Sequence, residues 1–267
     1  MTPGDSFQTL SVERFGRVAI VTFRRADQLN AMNRQMQSEI TAAFEGLSDD
    51  NDIGAIVVTG EGRAFMAGAD IKEYATQTDE QFDLFQAAGA RMYGAIENNR
   101  KPVIAAVNGY ALGGGMELVL ACDIVIASTL ARLGLPEIKL GLIPGGGGTQ
   151  RGVAKLGRNR ANLLLMTGAI LPAADFVAAG LVNEIAEPDA LARRALDLAT
   201  TIAGEPAEAV EGVKRLTAAA KTTELSKGLE LEREVLAALF RSEIGQSRVR
   251  AFAAKSAARA AKSGAAP

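Results

Sequence analysis

Two glutamates set in otherwise apolar, glycine-rich segments are the residues best suited to chemistry in this chain. The first, Glu117, lies in YALGGGMELVLACD (110–123), where Gly113, Gly114 and Gly115 precede a run that is apolar apart from the carboxylate. Glycine lets backbone approach a ligand closely, and a helix start presents unpaired N–H groups to negative charge, so the segment reads as an oxyanion site. Met116, Leu118, Val119, Leu120 and Cys122 cover most faces of the helix around Glu117. A carboxylate buried there is costly without a purpose, which favours a functional role over a solvated one. The second, Glu137, follows a proline in LGLPEIKLGLIPGGGGTQR (133–151). Taken alone it fits a cap or surface carboxylate as well as a catalytic one. The chain has no histidine. That removes Ser-His-Asp and Cys-His nucleophilic schemes and the common histidine metal sites, leaving acid–base work to carboxylates, Lys, Tyr or backbone.

A third segment, TGEGRAFMAGADIKE (59–73), follows an apolar run directly, with Gly68 in a turn and Ala69 to Lys72 leading into a helix. It reads either as an ordinary strand-to-helix connection or as a second source of backbone N–H donors. The glycines of Gly145–Gly148 lack the Gly-Lys-Ser/Thr ending of a phosphate loop, and neither glycine cluster fits G-x-G-x-x-G after a strand.

The bulk numbers narrow the class further. At 267 residues with 48% hydrophobic and 22% charged residues, the chain is of globular composition, with one main domain and an appended element. With 29 basic against 31 acidic residues the net charge is −2, so no global positive field gathers nucleic acid or anionic membrane. The single Cys122 allows no internal disulfide, and MTPGDSFQTLSVERFG shows neither a signal nor a transit pattern, so a cytoplasmic setting is expected. The most apolar stretch, Val103 to Ala127, is interrupted by Asn108, Glu117, Asp123 and several glycines and reads as buried structure, not a membrane span.

The elements that position these residues alternate. Val18–Phe23, Ala55–Thr59, Val103–Val107 and Ile124–Ala127 are short β-rich runs bounded by Gly, Asp, Asn or Pro. Met32–Leu47, Gln81–Asn98 and Gly115–Ala121 have helical spacing, so the class is α/β. From about Pro188 the strand signal ends. Ala190–Ala203, Pro206–Lys221 and Glu224–Phe240 are then helical, and the basic, Ala-rich tail from Arg248 to Pro267 reads as a terminal helix.

Four segments in order, AFMAGADIKE, NGYALGGGMELVLACDIVIA, LPEIKLGLIPGGGGTQR and Thr167-Gly168 with AADFVAAGLVNEI after it, resemble the enoyl-CoA hydratase (crotonase) family, over nearly the whole chain. The resemblance implies a spiral of ββα units over residues 1–190, and a helical C-terminal region over 191–267 that forms trimers or dimers of trimers. It also implies an acyl-CoA substrate, no separate cofactor and no metal. Glu117 and Glu137 match the two catalytic glutamates of its hydratases, the first activating water and the second protonating the α-carbon. Ala69 and Gly114 match the backbone oxyanion donors. Gln28, Leu29 and Ala31, with Ala69, Asp70, Ile71 and Lys72, match the family's CoA contacts, and Phe252 and Lys255 match the tail pair that covers a neighbour's CoA site. The other reading of Lys72 is a solvated helix lysine.

Some positions depart from the family pattern. Arg25-Ala26 stands where Arg-Pro is usual, and the Glu-Gly before the C-terminal Ala-Phe is replaced around Val249 and Arg250. Met66, Met116 and Leu135 replace the Ala, Cys and Gln common in short-chain hydratases, which leaves chain length open. Two other readings stand beside hydration: an enoyl-CoA isomerase working with one glutamate, and an inactive relative acting as a binding or scaffolding module.

Overall fold

A computed structural model describes residues 7–263, so the first six residues of the opening segment and the last four of the basic tail lie outside it. Among the described residues ten strands are formed: β1 Leu10–Phe15, β2 Val18–Phe23, β3 Ala55–Gly60, β4 Ala64–Met66, β5 Val103–Val107, β6 Tyr110–Leu112, β7 Ile124–Ser128, β8 Arg132–Gly134, β9 Ile170–Pro172 and β10 Glu184–Ala186. Of the helices, α1 Arg34–Asp49, α2 Ile71–Tyr74, α3 Asp79–Glu97, α4 Gly114–Ala121, α5 Gly148–Leu156, α6 Arg158–Thr167 and α7 Leu191–Ala203 lie in one compact unit. A second unit, starting at Glu205, holds α8 Ala207–Ala219, α9 Leu225–Arg241 and α10 Glu243–Ser263.

In the first unit the larger sheet has the order β1-β2-β3-β5-β7-β10, parallel except for the β1–β2 hairpin. A smaller sheet has the order β4-β6-β8-β9, with β4, β6 and β8 parallel. The chain therefore places β3, β5 and β7 in the large sheet and the strand after each in the small one before turning into helix. That repeated ββα step is the spiral of the crotonase fold.

Period-two alternation decides the two faces of the large sheet. Val57, Ile104 and Ile126 point to one side, against Ala195 and Ala199 of α7. Ile56, Val58, Val103 and Ala105 point to the other and join Met36, Ile40 and Phe44 of α1 in the main core. Helix α7 packs within the first unit, which runs to Gly204, and buries Leu191, Ala195, Ala199 and Ala203 on this sheet. Small alanines let the helix sit close. An added Cβ at Gly54 would come within 3.0 Å of Ala203.

Capping explains where the helices around the site begin. The Asn33 side chain accepts from the Met36 N–H to open α1, and Thr78 and Gln81 form a reciprocal capping box at the start of α3. In the second unit Gly212 of α8 brings that helix against Val235 of α9, 3.0 Å from an added Cβ. Among the described residues no helix is long and apolar enough to cross a membrane.

The three glycines before α4 do separate jobs. Gly113 has φ +51°, in the region that L side chains avoid. Gly115 lets α4 rest on the end of β4, for a Cβ there would lie 1.9 Å from the Met66 carbonyl oxygen. That oxygen belongs to backbone held by the sheet and has nowhere to go. Gly115→Ala is expected to lower folding stability by about 3 kcal/mol or more in chemical denaturation; an unchanged midpoint would show that α4 does not need this close approach.

Candidate active site

The carboxyl ends of three adjacent parallel strands deliver the site, the place where ligands bind in parallel α/β sheets. Beyond β4 the chain passes to Gly68 and Ala69, beyond β6 to Gly113 and Gly114, and beyond β8 to Leu135 and Glu137. The first loop is pinned by Met32, whose N–H donates to the Gly68 carbonyl and whose carbonyl accepts from the Asp70 N–H, each at 2.8 Å. The intervening Ala69 N–H therefore points away from Met32. Gly114 opens α4, where helical N–H groups have no partner within the helix. Neither the Ala69 nor the Gly114 N–H has a hydrogen-bond acceptor among the described residues. The two loops are neighbours: a Cβ at Gly113 would stand 3.7 Å from Gly68 Cα.

Glu117 sits one turn into α4 and is 3% exposed. Its Oε1 accepts from the N–H groups of Gly146 and Gly148, both at 2.7 Å. The glycines of that loop leave room for the carboxylate, since a Cβ at Gly146 would fall 2.7 Å from Oε2. Arg151 on α5 locks the loop, donating to the Gly146 carbonyl at 2.6 Å and pairing with Glu97 of α3 at 2.7 Å. The same guanidinium lies 5.9 Å from the centre of the Tyr93 ring. Tyr93, buried on α3, donates its hydroxyl to the Gly114 carbonyl at 3.0 Å. Burial raises the Glu117 carboxyl above its ordinary value, while the Gly148 and Gly146 N–H groups, Arg151 and Tyr93 pull it back.

Glu137 has a different environment. It follows Leu135 and Pro136 in a short 3-10 turn, Pro136–Leu140. Its Oε1 lies 3.0 Å from where a Gly113 Cβ would be, so only glycine at 113 leaves it in place. Its Oε2 is buried without a hydrogen-bond partner among the described residues. Burial, with the Glu117 charge adding to it, pushes the Glu137 carboxyl from 4.5 up to about 7. Both glutamates, Ala69 and Gly114 line one cavity of about 320 Å³, walled elsewhere by apolar and aromatic side chains such as Met32, Tyr74 and Phe85.

The remaining expected positions of the first unit lie on the segments next to these loops. Leu29 and Ala31 lie on the loop preceding α1, which touches the Ala69 segment through the Ala67 N–H donated to the Leu29 carbonyl at 3.1 Å. Leu29 and Asn30 adopt φ +54° and +56°. Buried Asn30 holds that shape, donating to the Ala64 carbonyl at 2.8 Å and accepting from the Arg25 N–H at 2.8 Å. Gln28 on the same loop is exposed. Ile71 lines the cavity though 54% exposed. The Asp70 carboxylate caps α2 through the Lys72 N–H at 3.2 Å and pairs with Arg25 at 2.9 Å, which holds it below its ordinary range. Asp70 thus ties the α2 start to the Arg25 loop. Lys72 is exposed, and its ammonium has no carboxylate partner among the described residues. Phe252, 77% exposed, and Lys255, also exposed, lie on α10 in the second unit.

Tyr93 and Arg151 escaped the sequence reading as site residues. Tyr93 is one aromatic of an amphipathic helix and gives no local signal. Arg151 ends the GGGGTQR run, but its partners Gly146, Glu97 and Tyr93 come together only in the fold.

Comparison with known proteins assigns the chain to a family. Residues 13–260 match the family model for enoyl-CoA hydratase/isomerase, and the chain belongs to that family. A probable enoyl-CoA hydratase of Mycobacterium bovis is 43% identical over 252 residues, covering 94% of this chain and 97% of the relative. The 2,3-dehydroadipyl-CoA hydratase of Escherichia coli is 35% identical, covering 92% and 96%. Among solved structures, an enoyl-CoA hydratase subunit of Geobacillus kaustophilus superposes with a TM-score of 0.89 at 38% identity, covering 93% of this chain and 96% of that one.

The Glu137 environment has a consequence for stability. A carboxyl raised in the folded state holds its proton to higher pH than in the unfolded chain, so stability falls as pH rises from the ordinary value of 4.5 through about 7. Glu137→Gln is therefore expected to raise the melting temperature more at pH 8 than at pH 5. An equal change at both pH values would contradict a raised Glu137.

Proposed function

We propose that this chain adds water across the double bond of a 2-enoyl-CoA thioester, giving a 3-hydroxyacyl-CoA. The observation that carries the reading is the unequal setting of two carboxyls in one cavity. Glu117 Oε1 holds two backbone N–H donors, which suit an ionised carboxylate, whereas Glu137 keeps an unpartnered buried oxygen and a raised affinity for its proton. Environments that separate two titrating groups assign the acid and the base.

Ionised Glu117 orients a water molecule and takes its proton as the oxygen attacks the β-carbon. The π electrons move toward the thioester carbonyl oxygen, whose growing negative charge meets the Ala69 and Gly114 N–H groups. Glu137 then protonates the α-carbon, and the pair resets by proton exchange. The names of the M. bovis and G. kaustophilus relatives support hydration over isomerisation, as does the presence of both carboxyls in the cavity. In the same reading Gln28, Leu29, Ala31, Asp70, Ile71 and Lys72 border the CoA portion, with Lys72 supplying a free cation. The protein works as a homotrimer or dimer of trimers in the cytoplasm, where Phe252 and Lys255 cover a neighbour's CoA. Exposed Leu236, Phe240, Val249 and Phe252 give the second unit apolar surface of the kind subunit contacts cover.

Loss of enoyl-thioester absorbance with crotonyl-CoA tests the assignment. The wild type is expected to hydrate it, and Glu117→Gln and Glu137→Gln each to lower kcat by about 10²–10⁴-fold. Rate should fall as pH rises past about 7, where Glu137 loses its proton, and Glu137→Gln should abolish that limb. Retained activity in both variants would overturn the two-glutamate scheme, and turnover of 3-enoyl-CoA without water incorporation would select isomerisation.

A further inference from the structure

Gln37 is a polar side chain with no visible employment. It lies on α1 with 1% exposure, and among the described residues neither its amide nitrogen nor its amide oxygen has a hydrogen-bond partner. A buried primary amide left unpaired on both atoms is costly, so its retention asks for a ligand. Its backbone is fully used in the helix, the N–H donating to the Asn33 carbonyl at 3.0 Å and the carbonyl accepting from the Thr41 hydroxyl at 2.8 Å. Only the side chain is unassigned.

That side chain borders the catalytic cavity. Gly89 of α3 makes the space for it, since a Cβ there would lie 3.2 Å from Gln37 Nε2. With Phe85 it also borders a second cavity of about 330 Å³ between α1 and α3. The pair is thus a partition between the two spaces. Buried Gln37 and exposed Ile71, Leu140 and Ile143 line the same cavity, so it runs from solvent at the exposed residues to the buried amide. With the thioester oxygen at Ala69 and Gly114, CoA leaves by the mouth and the acyl tail runs inward.

The charges nearby decide what chemistry the amide serves. Arg34 and Arg91 in the second cavity are paired with Glu73 at 3.5 Å and Glu45 at 3.0 Å. Among the described residues lining that cavity no cation is left unpaired to invite an acidic tail. An amide offers a donor and an acceptor side by side, which a hydroxyl matches on both counts. We propose that Gln37 is a specificity-determining residue that receives a neutral oxygen, a hydroxyl before a carbonyl, on the distal part of the acyl chain. Oxygenated enoyl-CoAs are then preferred over plain hydrocarbon ones of the same length. The proposal rests on the acyl-CoA reading of the cavity.

Its test uses binding and so does not depend on turnover. Titration calorimetry would compare saturated acyl-CoAs of four to eight carbons with their ω-hydroxy counterparts, on the wild type and on Gln37→Met, which keeps the volume and removes the amide. At one chain length the hydroxylated thioester is expected to bind wild type at least about tenfold more tightly than its plain partner, and Gln37→Met to erase or reverse that ratio. Wild type that binds every plain chain as tightly as its hydroxylated partner overturns the proposal, as does a preference that survives in Gln37→Met. Crotonyl-CoA hydration measured alongside reports separately on the hydratase reading: inert protein that still discriminates by Gln37 would fail that reading and keep this one.

Discussion

A nearly sealed carboxylate must be held by donors or it will not stay charged, and the arrangement around Glu117 answers that demand. Two backbone N–H groups from a glycine loop about thirty residues downstream converge on one of its oxygens, at 2.7 Å each. The loop can approach because Gly146 and Gly148 have no side chain to obstruct the carboxylate. It stays there because Arg151 clamps the Gly146 carbonyl and anchors itself on Glu97. The second carboxyl depends on the first, for its proton affinity is raised partly by the Glu117 charge. Losing the glycine loop would change both groups at once.

A second constraint is geometric. Strands β4, β6 and β8 are only three residues each, yet their parallel pairing aligns the three chain segments that follow. One ends in the Ala69 N–H, one in the Gly114 N–H and one in Glu137. The large sheet, buried on both faces, supplies the stable floor from which these short strands rise. The site is thus built from backbone direction as much as from side chains, which explains its density of glycine.

How much of this was legible depends on distance along the chain. Strands β2 and β5 could be placed to the residue, because their β-rich runs VAIVTF and VIAAV stop at Arg17 and Arg24 and at Pro102 and Asn108. The three-residue strands β4, β6, β8, β9 and β10 carry too few positions for a period and went unread. So did β1, whose LSVERF mixes charged and apolar residues on an edge. Glu117 was readable as buried because its own helix is apolar on all sides. Glu137 was not, since Pro136 to Leu140 looks like an ordinary turn and the packing of its carboxyl against Gly113 arises only in the fold. The glycines at 145–148 looked weak because their partner carboxylate lies elsewhere in the chain. Gln37 looked like any polar residue of an amphipathic helix; only the packing of α3 across it shows that it faces inward.

The account turns on the two carboxyls holding different protonation states in the same cavity. Carbon-13 NMR of the glutamate side-chain carboxyls in the folded free protein, assigned by difference against Glu117→Gln and Glu137→Gln, would follow each as pH is varied. The account predicts that the Glu137 resonance titrates near pH 7, and that Glu117, held by its two backbone donors, gives up its proton before Glu137 does. If instead Glu117 is the protonated group at neutral pH, or if both carboxyls titrate together in the ordinary range, the division into base and acid is wrong.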